Sequence, residues 1–396
     1  METLTQNVRL LSQAQILKDW NLQVNDNLWD QNMQLTIRSA LKSLIEQTAL
    51  EDLELYRQSQ PEILYRNGYY PRNLVTTFGS IEQIQVPRLR SGAYESRVFA
   101  RYQRFQPRVE NFLLNAFLAG ISTRNVGGVV SSLLNTSVSA TKISRIARKL
   151  DHHLSAYHAR PLLDEYQYLI CDGITMKVKY NGRYHKRLVL VVYGITLFGK
   201  REIIGFKQAK GESQNAWESL LHNFYNRGLL GNNLKLIAMD GSAGLKAAAE
   251  LVYPRAPIQR CWAHKLRNVA NHCPKKYETD CLSDARKIYL APTLAGARIQ
   301  FKLWKTAWQS RCPNAVHCLE KDLDDMLPFL SCPKDHQIKV RTTNAIERAF
   351  REVRRRTRVI TCFSNLASSE RIIFAIFCKL NNHWKKKPLP GFTQFN

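Results

Sequence analysis

Two apolar runs of this 396-residue chain stop at the same dipeptide: Tyr168-Leu-Ile-Cys171 at Asp172-Gly173, and Leu234-Lys-Leu-Ile-Ala-Met239 at Asp240-Gly241. Runs this short, bounded by glycine, predict buried strands rather than helices. Between them lie Arg187-Leu-Val-Leu-Val-Val-Tyr-Gly-Ile195 and Arg201 to Phe206, two further strands, with Asn181-Gly182 marking the first turn. Helices are expected around Ser213 to Arg227 and over Ala243 to Val252, and Ile258 to Trp262 is a candidate last strand. Three antiparallel strands followed by alternating helix and strand build a mixed sheet flanked by helices, so the fold class is α+β.

Side chains at the ends of neighbouring strands can converge on one point, and the following glycine lets the backbone turn sharply beside them. Paired carboxylates so placed suit two divalent metal ions for in-line displacement at phosphorus. Magnesium takes such hard oxygen ligands. Asp-Gly is also an ordinary turn, so Asp172 and Asp240 by themselves leave both readings open. A third acid, Glu347, stands in Thr342-Thr-Asn-Ala-Ile-Glu347-Arg-Ala-Phe350. Ile346, Ala349, Phe350 and Val353 follow the spacing of one helix face. With Asn344 as N-cap, Glu347 would fall where a capping-box glutamate belongs, so it can serve as a cap or as a ligand.

Charge narrows the choice. Lys and Arg number 58 against 32 for Asp and Glu, a net of +26. Such an excess favours a polyphosphate partner, because each neutralised phosphate releases condensed counterions. Part of the charge is patterned. Ser122 and Ser139 can cap two helices, Ser122 to Leu134 and Ala140 to Leu150, with Asn135 ending the first. The second helix carries Lys142, Arg145, Arg148 and Lys149. Two short helices joined by a tight turn, the second basic, have helix-turn-helix form, although an ordinary helical hairpin would share it. Another basic cluster, including Arg351, Arg354 and Arg355, follows Glu347.

The remaining stretches say less. Residues 1–60 have helical periodicity at Ile37, Leu41, Leu44 and Ile45 and are read as an N-terminal helical arm. Val75 to Phe78 and Ile81 to Val86 flank Gly79-Ser80, which predicts a hairpin with a two-residue turn. Residues 61–160 then hold the hairpin and the DNA-binding helices. Residues 161–262 and 341–385 form the core, and 263–340, without strand signals, a helical insertion. No stretch approaches the roughly 18 apolar residues of a membrane span, and Met1 to Trp20 has no signal-peptide core. Nine scattered cysteines are read as reduced thiols. Cys261-Trp-Ala-His264, with His272-Cys273 and Cys281 nearby, admits a structural zinc, but the wider spacing is irregular. His264-Lys-Leu-Arg267 also has the look of a tyrosine recombinase, which the strands with terminal aspartates oppose.

Four segments in order carry a resemblance: Cys171-Asp172-Gly173, Ala238-Met-Asp240-Gly-Ser, Gln259-Arg-Cys-Trp-Ala-His264-Lys-Leu-Arg-Asn268 and Thr342-Thr-Asn-Ala-Ile-Glu347. In these the chain resembles the Mutator-like family of bacterial insertion-sequence transposases, of DDE type. The resemblance implies a ribonuclease H-like catalytic core interrupted by an all-helical insertion and preceded by a helical, helix-turn-helix DNA-binding region. Asp172, Asp240 and Glu347 match the family's acidic triad, and Cys261 and His264 its near-site Cys-x2-His signature. The segment Gly241-Ser-Ala-Gly244 is shorter-chained than is usual there. The implied function is metal-dependent cleavage at terminal inverted repeats followed by strand transfer from the freed 3′-hydroxyl. It would use two Mg2+ ions, or Mn2+ in their place. Expected partners are double-stranded DNA, at element ends and target, and a second copy of the chain in a homodimer or higher oligomer. The expected location is the bacterial cytoplasm, at the nucleoid. The alternative is a catalytically inactive, transposase-derived DNA-binding protein.

Overall fold

The computed structural model describes residues 28–90, 94–100, 103–134, 136–358, 360 and 362–392. The first 27 residues of the expected arm, and Asn135, lie outside these. The chain divides into two compact units, Met1–Phe117 with Ile121–Ile146, and Leu118–Gly120 with Ala147–Asn396.

In the first unit a long helix, α1 (Leu28–Gln58), packs on a hairpin of β1 (Arg66–Thr76) and β2 (Gly79–Leu89). Leu41, Ile45 and Ala49 of α1 meet Leu74, Ile81, Ile84 and Val86 of the hairpin, giving that face an apolar interior. The hairpin turn sits two residues earlier than the sequence suggests. Thr76 pairs with Gly79, so Thr77-Phe78 makes the turn. Thr76 Oγ1 accepts the Phe78 N–H at 3.2 Å and donates to the Gly79 carbonyl at 2.9 Å. Gly79 instead opens β2 at φ 106°, a conformation glycine adopts without a Cβ clash.

Three helices follow: α2 (Pro107–Leu118), α3 (Thr123–Leu134) and α4 (Ala140–Arg148). The Ser122 and Ser139 hydroxyls each accept a backbone N–H, from Asn125 and Lys142, both at 3.2 Å. Those side chains satisfy helix-end donors that would otherwise lack partners. A Cβ at Gly127 would stand 2.2 Å from the Val138 carbonyl oxygen, so only glycine lets α3 approach the segment before α4 so closely.

The second unit begins with α5 (Leu150–Ala159) and holds a five-stranded sheet. Its strands are β3 (Tyr166–Tyr180), β4 (Arg183–Thr196), β5 (Arg201–Ala209), β6 (Leu236–Met239) and β7 (Ile258–Arg260), in the order β5-β4-β3-β6-β7. The pairs β3–β4 and β4–β5 are antiparallel; β3–β6 and β6–β7 are parallel. Asn181 and Gly182 turn β3 into β4 with φ of 47° and 77°, as an Asn-Gly hairpin requires. Alternation along the strands sorts two faces. Leu169, Cys171, Leu190, Val192, Ile237 and Met239 pack under α6 (Gln214–Asn226) and α7 (Ala243–Val252), against Trp217, Phe224, Leu245 and Ala249. On the other face Phe206 stacks edge-on to Phe377, and Tyr193 to Trp384, both rings of the final helix.

From Trp262 to Val340 the described residues form helices and turns only: α8 (Trp262–Asn271), α9 (Lys275–Leu290), α10 (Leu294–Trp308), α11 (Pro313–Glu320), α12 (Leu323–Met326), a 3-10 turn (Pro328–Ser331) and α13 (Lys334–Val340). The chain then returns to the sheet through α14 (Asn344–Thr357) and α15 (Leu366–Lys385). The excursion leaves and re-enters at one place. Trp262 N–H donates to the Arg341 carbonyl at 3.1 Å, and Gln259 reaches the Met326 carbonyl and the Phe329 N–H. Among the described residues no helix is long and apolar enough to cross a membrane.

Candidate active site

The pairing of β3 with β6 ends at Cys171 opposite Met239, so the next residues, Asp172 and Asp240, lie beside each other. The two strands do not both end there. β6 stops at Met239, but β3 runs eight residues past Asp172 to Tyr180, still paired with β4. Asp172 therefore sits in mid-strand, opposite Val191, where the sheet loses its other neighbour. The apolar run stops at Asp172 because the face it covered stops; alternation in Ile174, Met176 and Val178 carries the strand onward, and these three are buried.

Asp240 is fixed by the start of α7. Its Oδ1 accepts the Ser242 N–H at 3.0 Å, and Ser242 caps the helix at Leu245. Gly241, at φ 125°, leaves room for Arg260, whose Nη2 would stand 2.4 Å from a Cβ. A Cβ at Gly244 would stand 2.7 Å from the Glu212 carbonyl oxygen. The small side chains of Gly241-Ser-Ala-Gly244 are thus what lets this loop close beside its neighbours.

The third acid arrives from α14. Its N-cap is Thr343 rather than Asn344, so Glu347 is one residue beyond the capping-box position, and no side chain caps this end. Glu347 faces His264 of α8 instead, Oε1 to Nε2 at 3.4 Å. On its other side His264 has Nδ1 3.4 Å from Thr343 Oγ1 and a hydrogen bond to the Cys261 thiol. Cys261, N-cap of α8, also accepts the Thr343 N–H at 3.2 Å. Burial opposes ionisation of Cys261, but the bonds from His264 and Thr343 outweigh it and hold its pKa below the usual thiol range. The bond to Cys261, against the penalty of burial, and the charges of Cys261, Asp172 and Glu347 push His264 up to about 9. An imidazolium therefore faces Glu347 at neutral pH, near enough to Asp172 to lower its pKa.

Asp172 is 8% exposed, and its Oδ1 accepts only the adjacent Gly173 N–H, at 2.7 Å. Burial pushes its carboxyl up to about 7; the Gly173 N–H opposes the rise, Asp240 and Glu347 add to it, and His264 lowers it. Asp172, Asp240, Glu347 and His264 are thus within electrostatic reach of one another despite their separation along the chain. The oxygens of Asp172, Asp240 and Glu347 are the donor type a hard divalent cation takes, and the poorly solvated Asp172 carboxyl suits one. Among the described residues no three of these acids and His264 have their ligand atoms within 4.8 Å of one another.

Sequence reasoning assigned no part to two neighbours. Thr343 is fully buried and ties α14 to Cys261 and His264; its position beside Asn344 was the available signal. Glu212, in the loop from β5 to α6, lies against Gly173, and only Gly211-Glu-Ser ahead of a helix marked it. Cys261 and His264 join no thiol cluster. The sulfurs of Cys273, Cys281 and Cys312 converge instead, all buried and within 4.8 Å of one another, inside the helical excursion.

The basic candidates differ in availability. Arg145, Arg148 and Lys149 are exposed, whereas Lys142 is paired with Glu110 at 2.9 Å and lies over the Phe105 ring. On α14, Arg351 and Arg354 are exposed, and Arg355 forks onto Glu352 at 3.1 and 3.2 Å.

The family model described as "Transposase, Mutator family" matches residues 4–387. This chain belongs to the Mutator family of transposases. Among its relatives is the transposase for insertion sequence element ISRM5 of Rhizobium meliloti, 35% identical over 350 residues, covering 88% of this chain and 87% of the relative. The transposase for IS406 of Burkholderia multivorans is 33% identical over 355 residues, 89% and 90% of the two chains. That for IS256 in transposon Tn4001 of Staphylococcus aureus is 32% identical over 331 residues, 83% of each. The family match spans both units.

Proposed function

We propose that this chain is a DDE transposase of an insertion sequence, nicking DNA at the element's terminal inverted repeats and joining the freed 3′-hydroxyl to target DNA. The mixed sheet with helices on both faces supports a ribonuclease H-like core, and α3 with α4 supports a helix-turn-helix that reads the element ends. The observation that carries the reading is that Asp172, Asp240 and Glu347, distant along the chain, come within electrostatic reach of one another around the buried Asp172 carboxyl, with no Lys or Arg of the described residues in an ion pair with it.

In this reading Asp172, Asp240 and Glu347 would together hold two Mg2+ ions, with Mn2+ able to substitute. Such ions, when bound, activate the attacking oxygen and stabilise the leaving one. The chain's own groups supply the rest. The Ser242 N–H fixes one Asp240 oxygen. Cys261 and Thr343 orient His264, and through it Glu347, so that the helix-borne acid keeps its place beside the strand-borne pair. In the first step water attacks phosphorus and the 3′-oxygen leaves with a proton; in the second that hydroxyl attacks the target phosphodiester, whose own 3′-oxygen leaves and takes up the proton the hydroxyl gives up. Arg351 and Arg354, on the same helix as Glu347, are placed to hold phosphates. The test is nicking of end-containing DNA in magnesium by Asp172→Asn. Loss of nicking with end binding intact supports the reading, and nicking at the wild-type rate overturns it.

A further inference from the structure

The helical excursion gathers three of the chain's nine cysteines at one point. Cys273 stands in the turn between α8 and α9, Cys281 on α9, and Cys312 at the N-cap of α11, beyond the whole of α10. Their sulfurs all lie within 4.8 Å of one another, and the Cys273 and Cys312 sulfurs are 3.1 Å apart. All three are buried, Cys273 with 8% of its surface exposed. The backbone at each is held. Trp304 Nε1 donates to the Cys281 carbonyl at 3.0 Å, the Cys312 N–H to the Trp308 carbonyl at 2.7 Å, and the Cys273 N–H to the Ala270 carbonyl at 3.0 Å.

A buried cysteine is by itself an ordinary small core side chain, and Cys171, Cys318 and Cys332 are buried without joining any such group. Filling a core asks for volume, not for three sulfurs at one point. Three thiolates are the donors of a soft or borderline cation, and a poor match for the hard ions expected at the acidic site. With Zn–S bonds of about 2.3 Å, the sulfurs of a tetrahedral zinc site lie about 3.8 Å apart. That falls between the 3.1 Å of the Cys273–Cys312 pair and the 4.8 Å that bounds all three. Arg311, over the Trp308 ring at 5.7 Å, is near enough to Cys312 to favour its thiolate.

We infer that Cys273, Cys281 and Cys312 bind one Zn2+ ion, with a water completing the tetrahedron from the Cys273 side. On binding, the three thiol protons leave to solvent and the sulfurs take the metal in their place. The ion ties the turn between α8 and α9 to the turn between α10 and α11, and so fixes the excursion's shape. It takes no part in phosphoryl transfer, and this inference does not rest on the DDE reading. Cys261 and His264, which the sequence spacing would have joined to Cys273 and Cys281, are bonded to each other instead.

The experiment uses reduced, full-length protein stripped of metal and titrated with Co2+, the spectroscopic stand-in for Zn2+, then with Zn2+ itself. Wild type is expected to show sulfur-to-cobalt charge-transfer bands and tetrahedral d–d bands, both displaced by Zn2+, and a melting temperature that Zn2+ raises. Carboxylates give no sulfur band, so Co2+ at the acidic site is not mistaken for this one, and Asp172→Asn should leave the bands intact. Cys281→Ser and Cys312→Ser should each weaken Zn2+ binding about tenfold or more, since even the outer partners of metal ligands count for that much. Cys318→Ser, a buried thiol outside the group, should bind as wild type does. Wild type without a sulfur-to-cobalt band overturns the inference, whatever the variants do. So do bands that survive both Cys281→Ser and Cys312→Ser. Protein isolated without reductant that carries a Cys273–Cys312 disulfide and no zinc overturns it as well, assigning the pair to redox chemistry.

Discussion

Asp52 and Asp172 are both nearly enclosed, with 12% of the Asp52 side chain and 8% of Asp172 exposed, yet the protein treats them in opposite ways. Asp52, on α1 of the first unit, accepts hydrogen bonds from Tyr94 Oη at 2.6 Å, the Arg97 N–H at 2.8 Å and Ser96 Oγ at 3.2 Å. Burial alone would raise its pKa, but these donors and the Arg97 charge outweigh it and hold the carboxyl below its usual range. Asp172 has a single N–H and a surround of other acids, and its carboxyl rises to about 7. One aspartate is satisfied by its own chain and stitches a loop to a helix. The other is left in deficit, which is what a site for a foreign cation requires.

The contrast can be broken most directly by exchanging charge for amide. Asp172→Asn should lower magnesium-dependent nicking by roughly a thousandfold or more, since several kcal/mol of transition-state stabilisation would go with the proposed metal site. Its melting temperature in EDTA at pH 8 should not fall. Asp52→Ala should do the reverse, leaving Mn2+ binding intact while costing about 1–3 kcal/mol of stability for donors left without an acceptor. A melting curve and a binding isotherm on each variant decide it, and the contrast collapses if both lose stability alike.

Titration sharpens the same point. Asp172 has its folded pKa raised, so its contribution is present at low pH and lost as pH climbs from about 4 through about 7. Asp52 has its folded pKa lowered, so its contribution is present above the ordinary carboxylate range and lost as pH falls through the folded value. In EDTA, wild type should therefore lose stability relative to Asp172→Asn between about pH 4 and 7. Added Mn2+ should raise the melting temperature more at pH 8 than at pH 5, where protons compete for the same oxygens. An equal shift at both would show that the cation does not bind Asp172.

The smallest expected effect concerns the link between α8 and α14. Thr343→Val keeps shape and the backbone bond to Cys261, but removes the hydroxyl shared by Cys261 and His264. Nicking should fall about three- to tenfold, the equivalent of one neutral hydrogen bond, with the turnover rate rather than DNA affinity carrying the loss.

What the sequence discloses and what it hides follow from the range of the forces involved. The Asn181-Gly182 turn and the Ser122 and Ser139 caps are decided within a few residues, and the structure has them where local chemistry puts them. Strand ends are decided by neighbours far away. Tyr168 to Cys171 looks complete as a strand because the apolar run stops, yet β4 carries the pairing on to Tyr180. Gly79 looks like a turn residue, but Thr76 closes the turn two residues earlier with its own hydroxyl. Thr343 takes the cap from Asn344 because Cys261 and His264 anchor it from another helix. Asp172, Asp240 and Glu347 are named together by motif order, whereas Thr343, which ties α14 to Cys261 and His264, is not.

The helical excursion leaves the sheet at Trp262 and returns at Arg341, and those two residues are hydrogen-bonded to each other at 3.1 Å. An insert whose feet stand together behaves as a closed detour, so its length and sequence can drift between relatives without dragging Glu347 out of place. Selection can refashion it as a module for a new task while the chemistry beneath stays the same.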